Sequence, residues 1–255
     1  MSHIATSQIE SFDGTALAVH RLDPDTGEGR PVLLLHGLFS SAQMNWIRFG
    51  HAQMLADAGF SAIMPDLRAH GASAAPQDAA AYPPDVLVRD VQALVAALGL
   101  AEYDLAGFSL GGRTAAGSVI AGLRPRRLVL AGMGLESLDN WHARSTFFID
   151  AIDRFDTVRS GDPAFFAVQF MKTMKIDRVA ARLLLQSVQD MERADLASIT
   201  MPTLVVCGED DRDNGSPDAL AAALPDAVLV KIPGDHMGSV TKPELGRAIV
   251  RSLSD

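Results

Sequence analysis

The sequence has a single cysteine, Cys207, among its 255 residues. One cysteine cannot form an internal disulfide, and without a second thiol nearby it argues against a structural zinc site. We therefore expect Cys207 to be a small buried residue at the end of a strand. No cluster of residues indicates a metal or a cofactor, so we predict that the protein has neither.

Basic side chains and long apolar runs are also scarce. The chain has 22 Lys and Arg against 31 Asp and Glu, for a net charge of −9. This balance repels a phosphate backbone and argues against nucleic-acid or membrane partners. No apolar run approaches 18 residues, and the polar start MSHIATSQIESFDG does not look like a signal peptide. We expect a cytoplasmic protein, a monomer or homodimer, that acts on a small-molecule substrate.

The chain does contain short β-branched or Leu-rich runs that alternate with helical stretches. This alternation predicts an α/β fold with a mostly parallel eight-stranded sheet and helices on both faces. The Asp13-Gly14 pair favours a hairpin between the first two strands. Helices are predicted from Pro83 to a stop at Gly99, and over 110–123. The predicted strands are Ile4 to Glu10, Ala16 to Leu22, Val32 to Leu35, Ser61 to Met64, Asp104 to Phe108, Arg127 to Ala131, Thr203 to Cys207 and Ala227 to Ile232.

The alternation stops between residues 134 and 199, which have a helical pattern with no convincing strand. We predict a helical lid over 134–199, inserted into a core formed by 1–133 and 200–255. Six of the eleven Phe residues lie in this segment. Their rings either bury the segment on the core or line an apolar pocket, and both can hold. The candidate pocket residues are Phe39, Trp141, Phe147, Phe148, Phe166, Phe170 and Met237.

The stretch GFSLGG, residues 107–112, places Ser109 between a predicted strand and a predicted helix. A serine hydroxyl is a poor nucleophile unless it is exposed, aligned with a base and close to donors for the developing oxyanion. A sharp strand-to-helix turn provides this arrangement and directs the Leu110 N–H toward the same point. The pattern GxSxG is short enough to arise by chance, and its strand-to-helix context makes it informative.

The loops after other predicted strands contain candidates for the second oxyanion donor, the orienting carboxylate and the base. The loop HGLFSS, residues 36–41, provides a second oxyanion donor, the N–H of Leu38 or alternatively of Phe39, with His36 supporting the loop. The acidic loop GEDD, residues 208–211, provides a carboxylate to orient a histidine. Asp211 is our candidate and Asp210 the alternative. His236, in PGDHMG, follows the next strand and is the candidate base. His70, in PDLRAHGAS, is expected to join Asp66 and Arg68 in a polar network.

These five motifs, in this order, resemble those of the α/β-hydrolase family over essentially the whole chain. The resemblance implies that Ser109 is the nucleophile, His236 the general base and acid, and Asp211 the orienting carboxylate. It also implies an oxyanion hole from the Leu38 and Leu110 N–H groups. Two residues depart from the pattern, because relatives often have glycine where Ala69 and Asp235 stand.

The serine nucleophile implies hydrolysis and argues against haloalkane dehalogenases and epoxide hydrolases, which carry Asp at this turn. We expect a small, fairly apolar ester or lactone as substrate, because the lid is aromatic and no basic cluster would bind a polyanion. Cleavage of a carbon–carbon bond, perhydrolysis and acyl transfer use the same residues and remain alternatives. A small-molecule receptor with little turnover is an alternative from another class.

Overall fold

An eight-stranded sheet forms the centre of the computed structural model, which describes residues 3–255. The strands are β1 Ala5–Glu10, β2 Ala16–Leu22, β3 Arg30–Leu35, β4 Phe60–Pro65, β5 Asp104–Phe108, β6 Leu128–Ala131, β7 Thr203–Gly208 and β8 Ala227–Ile232. Their spatial order is β1-β2-β4-β3-β5-β6-β7-β8. Strand β2 runs antiparallel to β1 and β4, and the other neighbours are parallel. The predicted fold class is confirmed.

Helices cover both faces of the sheet, as the alternating sequence pattern predicts. Successive residues of β3 show why, because Leu33 and Leu35 pack into one apolar core and Val32 and Leu34 into the other. The helices are α1 His51–Asp57, α2 Val86–Ala97, α3 Leu110–Ile120, α4 Glu136–Asp139, α5 Trp141–Asp153, α6 Phe165–Met174, α7 Arg178–Ser187, α8 Pro217–Ala223, α9 His236–Val240 and α10 Pro243–Ser254. Helices α2 and α3 contribute to the first core, and α1 and α10 to the second.

Helix boundaries differ from the sequence prediction where the backbone takes a left-handed conformation. Helix α2 starts at Val86 rather than at Pro83, because Asp85 has φ 53° and its N–H donates to the Ser187 carbonyl. Gly99, at φ 61°, follows the end of this helix as expected. Helix α3 ends at Ile120, before Gly122 at φ 112°. Local turns therefore shorten both helices.

Helices α4 to α7 and a short 3₁₀ helix, Arg193–Ser198, connect β6 to β7. Residues 134–199 contain no strand, in agreement with their helical pattern. Part of this segment extends the first core, since Val168, Met171 and Leu184 are buried in it. Phe155 and Phe165 pack against the same core and are partly buried. Some of the aromatic residues in this segment therefore serve packing.

Arg68 joins the N-terminal hairpin to helix α2. Its guanidinium is fully buried and donates hydrogen bonds to Asp90, in α2, and to Asp13, in the β1–β2 turn, at 2.7–3.0 Å. Asp90 also accepts from the Ser11 hydroxyl. Burial raises the pKa of Asp90 more than the hydrogen bond and charge of Arg68 lower it. The cation therefore compensates a carboxylate that has little access to water.

We predict that Arg68→Met destabilises the protein by roughly 3–5 kcal/mol, because it leaves the Asp90 carboxylate buried without its cation. The double variant Arg68→Met/Asp90→Leu should recover at least half of that loss, since it removes the carboxylate as well. Urea unfolding of the two variants and the wild type measures the difference. A double variant no more stable than Arg68→Met would contradict this assignment.

Candidate active site

Ser109 occupies a tight turn between β5 and α3. Its backbone has φ 53° and ψ −116°, a left-handed conformation that non-glycine residues seldom adopt. The neighbouring glycines allow this turn. A Cβ at Gly107 would overlap the Gly111 carbonyl, and one at Gly111 would overlap the Leu35 carbonyl. The two glycines thus let the strand end, the serine and the start of α3 approach closely.

Ser109, His236 and Asp211 form a continuous chain of hydrogen bonds. The Oγ of Ser109 lies 3.0 Å from the Nε2 of His236, and the Nδ1 of His236 lies 2.8 Å from the Oδ2 of Asp211. These partners define the tautomer, with Nδ1–H donating to the carboxylate and Nε2 accepting from the hydroxyl. The three residues follow β5, β8 and β7, whose carboxyl ends meet at one edge of the sheet.

The Asp211 carboxylate is buried but well supplied with donors. Its Oδ1 accepts from the Asp213 N–H at 3.0 Å, and its Oδ2 accepts from His236. Burial raises the pKa of Asp211, but the hydrogen bond and charge of His236 and the Asp213 N–H lower it further, so its pKa lies below the usual value. Asp210, the alternative acid, is exposed and stands outside this chain of hydrogen bonds.

Cys207 does more than fill space at the end of β7. It is buried, as expected, but its thiol also donates to the Oδ2 of Asp211 over 3.4 Å. Burial, together with the nearby Asp211 charge, raises the pKa of Cys207 to about 12, so the group stays a thiol at neutral pH. Its role as a donor to Asp211 was missed, although the spacing of four residues in CGEDD was visible in the sequence.

The loop after β3 leaves one N–H free beside Ser109. The Gly37 N–H donates to the Oδ1 of Asn45, and the Phe39 N–H donates to the Nε2 of His70 at 2.9 Å. Between them, the Leu38 N–H has no acceptor within residues 3–255. Leu38 and Leu110 line one narrow gap together with Ser109. The Phe39 N–H, engaged by His70, is not available as an oxyanion donor.

Two buried neutral histidines support this loop. The Nδ1–H of His36 donates to the Gly37 carbonyl and its Nε2 accepts from the Leu67 N–H. His70 is arranged in the same way, with its Nδ1–H on the Arg68 carbonyl and its Nε2 on Phe39. Burial lowers the pKa of both rings, for His70 to about 3. Both therefore keep an acceptor nitrogen at neutral pH.

The expected network of Asp66, Arg68 and His70 is wrong as a single unit. The Asp66 carboxylate accepts from the Ala42 and Ala72 N–H groups and contacts His20, whereas the Arg68 side chain binds Asp13 and Asp90. Of Asp66 and Arg68, His70 is hydrogen-bonded only to Arg68, through its backbone carbonyl. Three separate sets of partners therefore stabilise this loop from different sides.

The two departures from the family pattern have distinct local consequences. Ala69 adopts φ 66°, the conformation for which glycine is favoured, so it carries backbone strain. The carboxylate of Asp235 accepts from the Gly238 N–H and caps the start of α9. Asp235 is exposed, and its carboxylate is committed to the helix that begins at His236.

A cavity of about 980 Å³ opens over Ser109 and His236. Most of the residues predicted to line a pocket lie on its wall, namely Phe39, Phe147, Phe148, Phe166, Phe170 and Met237. Trp141 does not; it is buried beside the narrow gap, where its indole N–H donates to the Leu185 carbonyl. The size and aromatic lining suit a small organic molecule.

Sequence reasoning missed several cavity residues, which carry neither a motif nor a distinctive spacing. Met44 and Asn45 enter the wall from a short π-helix, Gln43–Ile47, that follows the loop HGLFSS, and Phe49 enters from the turn after this helix. Arg144 and Asn214 enter it from α5 and from the segment after Asp211. The Asn214 side-chain amide donates to the Gly132 carbonyl. These contacts arise from tertiary packing, which the linear sequence does not reveal.

Across residues 3–255, no group of three or more His, Cys, Asp or Glu side chains is arranged to hold a metal ion. Within the same range, no helix is both long and apolar enough to cross a bilayer.

Comparison with known proteins identifies the family. Residues 32–245 match the model of the alpha/beta hydrolase family. The chain belongs to the alpha/beta hydrolase family. An epoxide hydrolase from Caballeronia sordidicola is 32% identical over 50% of this chain, a match that spans only 37% of that protein's length. The AB hydrolase superfamily protein YisY from Bacillus subtilis is 28% identical over 74% of this chain and 76% of its own length.

A solved structure shares the fold of this alpha/beta hydrolase over nearly its whole length. The enol-lactonase from Burkholderia xenovorans superposes with a TM-score of 0.76 at 21% identity, covering 98% of this chain and all of the other. The similarity establishes the common architecture. Family membership supports hydrolase activity, in agreement with the sequence resemblance.

We predict that His70→Leu lowers the kcat of hydrolysis about tenfold or more, because the Phe39 N–H loses its acceptor and the Leu38 loop loses its fixed position. His70→Gln can present an amide oxygen near the position of Nε2 and should retain most of the activity. Steady-state kinetics of both folded variants measures this. Equal losses in the two variants would show that the hydrogen bond to Phe39 is unimportant.

Burial of neutral His70 should also make the stability of the protein depend on pH in acid. His70 has a pKa of about 3 when folded and near 6.5 when unfolded, so the unfolded state takes up the proton first. The contribution of neutral His70 to the free energy of unfolding is full above pH 6.5 and is lost as the pH falls toward 3. His70→Gln should therefore lose less unfolding free energy than the wild type between pH 6.5 and 4. Parallel slopes in urea denaturation at several pH values would contradict this.

Proposed function

We propose that the protein is a serine hydrolase that cleaves a small, fairly apolar ester or lactone through an acyl-enzyme on Ser109. The observation that carries this proposal is the hydrogen-bonded chain from the Ser109 Oγ through His236 to Asp211, which opens onto an aromatic cavity. The family supports hydrolase activity. The identity of the nucleophile and the substrate class are the parts that we propose.

In the first half-reaction the Ser109 Oγ attacks the carbonyl carbon of the substrate. The Nε2 of His236, 3.0 Å away, takes the hydroxyl proton. Asp211, kept ionised by its donors, holds the ring in the required tautomer and stabilises the imidazolium. His236 then gives the proton to the departing alkoxide, and the acyl group remains on Ser109.

The negative charge that develops on the carbonyl oxygen needs donors that are already in place. We assign this role to the backbone N–H groups of Leu38 and Leu110, which flank the gap beside Ser109. The Leu110 N–H stands at the first position of α3, where the helix dipole favours an anion. Each such donor contributes about 2.7–4 kcal/mol of transition-state stabilisation in related chemistry.

Water completes the cycle. His236, neutral again after the alcohol leaves, takes a proton from a water molecule as that water attacks the acyl carbon. The oxyanion forms at the same two N–H groups. His236 returns the proton to the Ser109 Oγ, and the carboxylic acid product is released. Both half-reactions thus use the same base and the same oxyanion donors.

We also propose that residues 134–199 act as a lid over a core formed by 1–133 and 200–255. Helices α5 and α6 supply the cavity wall with Phe147, Phe148, Phe166 and Phe170. Phe166 is 82% exposed, so an apolar ring borders the mouth of the cavity. An aromatic wall favours the apolar part of a small substrate and limits water around the ester.

One relative is called an epoxide hydrolase, an activity for which the family uses Asp at the nucleophile position. Here the residue is Ser109, and the aligned region covers half of this chain. We therefore favour acyl transfer to water over epoxide opening. Carbon–carbon cleavage, perhydrolysis and acyl transfer to alcohols would use the same three residues.

We predict that the wild type hydrolyses short p-nitrophenyl esters and that Ser109→Ala lowers kcat at least 10⁴-fold, because the attacking oxygen is lost. Asp211→Asn should lower kcat by roughly 10³- to 10⁴-fold, since the ring loses its orienting carboxylate. Asp210→Asn is the matched control and should stay within about threefold of wild type.

The same rates separate the alternatives. Equal rates for wild type and folded Ser109→Ala would overturn the enzyme assignment and favour a receptor that binds its ligand without turnover. A larger loss for Asp210→Asn than for Asp211→Asn would overturn the choice of acid. A panel of esters, lactones and ring-cleavage products, assayed with the wild type, then ranks the hydrolytic reactions.

A further inference from the structure

Arg144 is a positively charged side chain in the wall of the candidate active site. It lies on α5, half-buried, and lines both the large cavity and the narrow gap beside Ser109. The Phe148 ring packs against the guanidinium, with its centroid 5.6 Å from Cζ. The proposed mechanism of ester hydrolysis gives this cation no task.

Arg144 forms no ion pair in the part of the chain that the structure describes, although the Asp213 and Asp211 carboxylates lie near enough for their charges to raise its pKa against the larger effect of burial. No Asp or Glu oxygen within residues 3–255 lies within 4 Å of its guanidinium nitrogens. Its Nη1 donates to the backbone carbonyl of Asp213, and no protein acceptor is found for its other N–H groups in that range. The two nitrogens without a partner in that range, Nε and Nη2, are not fully buried. Burial lowers the pKa of Arg144, which nevertheless remains a cation.

Four other arginines of the same helical segment are different. Arg154, Arg178, Arg182 and Arg193 each form an ion pair with an aspartate. These pairs are on the surface. Arg144 therefore differs from those four arginines in two ways: it lies beside Ser109, and some of its guanidinium N–H groups have no partner among the described residues.

Arg113, the second guanidinium at the narrow gap, uses Nη1 and Nη2 in hydrogen bonds, and its Nε, which has no partner within residues 3–255, is buried and out of reach of a ligand. It is buried and donates to the backbone carbonyls of Ser137, Leu138 and Gln189, so it joins α3 to the inserted helices. Burial lowers the pKa of Arg113 to about 10, and its charge still adds to the positive potential at the gap. Arg144 is the member of the pair with donors to offer a ligand.

The position of the gap indicates which part of the substrate Arg144 meets. A leaving group must reach His236 to receive its proton, and His236 borders the large cavity but not the gap. The gap is lined by Ser109, Leu38 and Leu110, of which Ser109 and Leu38 also line the large cavity. The acyl group stays on Ser109 while the leaving group departs past His236, so the wall that Arg144 shares between the gap and the cavity is assigned to the acyl side.

We propose that Arg144 binds a carboxylate on the acyl part of the substrate, so that the preferred substrates are monoesters or lactones of acids that carry a second carboxyl group. The inference rests on the proposed function and refines it. A guanidinium presents parallel N–H groups that match the two oxygens of a carboxylate. The aromatic wall then accommodates the apolar remainder.

Two esters of nearly equal shape test this preference. Mono-p-nitrophenyl glutarate carries a carboxylate where p-nitrophenyl valerate carries a methyl group. The wild type should have the higher kcat/KM for the glutarate. Arg144→Met should lower the glutarate-to-valerate ratio of kcat/KM about 10- to 100-fold, because it removes charge-assisted hydrogen bonds and keeps the bulk. Arg144→Lys should retain part of the ratio.

Arg182→Met is the matched control, since Arg182 is an exposed arginine of the same segment. Its ratio should stay within twofold of wild type. An unchanged ratio in Arg144→Met, or an equal fall in Arg182→Met, would overturn the proposal.

A binding measurement separates this proposal from the catalytic one. Titration calorimetry of Ser109→Ala with monomethyl glutarate requires no turnover. We expect binding that weakens at least tenfold when Arg144→Met is added. Absence of binding to Ser109→Ala overturns the carboxylate site. Binding that depends on Arg144, together with no ester hydrolysis by the wild type, would uphold the site and reject the hydrolase function.

Discussion

The backbone turn at Ser109 is the constraint on which the rest of the site depends. Strand β5 can approach helix α3 because residue 107 has no side chain, and α3 can approach the end of β3 because residue 111 has none. The backbone of Ser109 is strained at this turn, and the packing of β5 and α3 on either side maintains the strained conformation. With this corner fixed, the ends of the neighbouring parallel strands bring the remaining groups to one edge of the sheet.

Histidines illustrate how hydrogen-bond partners separate roles that the sequence alone does not distinguish. His36 and His70 are enclosed and neutral, and each uses one nitrogen as a donor and the other as an acceptor for the backbone. His236 differs because its Nδ1 faces the Asp211 carboxylate and its Nε2 faces a hydroxyl. The first two form a rigid support for the Leu38 loop, whereas the arrangement of the third is suited to proton transfer.

Much of the fold could be predicted from the sequence, because strands such as β5 and β8 are marked by their own local composition. The motifs also led to Ser109, Asp211 and His236, since each lies shortly after a strand end, in a turn, a loop or the start of a short helix. Arg144 could not be found in this way. Its significance comes from the absence of an ion-pair partner among residues 3–255, and from its place beside Ser109 in space, 35 positions away in the chain. Helix α2 likewise begins late because of a contact with distant Ser187.

The position of β8 at the edge of the sheet bears on how the protein is inactivated by heating. His236 follows this strand, which has one neighbour, β7, and is more exposed than the central strands. Edge elements open in sub-global fluctuations that cost less free energy than complete unfolding. Such an opening would withdraw the histidine while Ser109, on central β5, stays in place. We therefore expect loss of activity on heating to reflect the local stability of the sheet edge and to precede melting of the core.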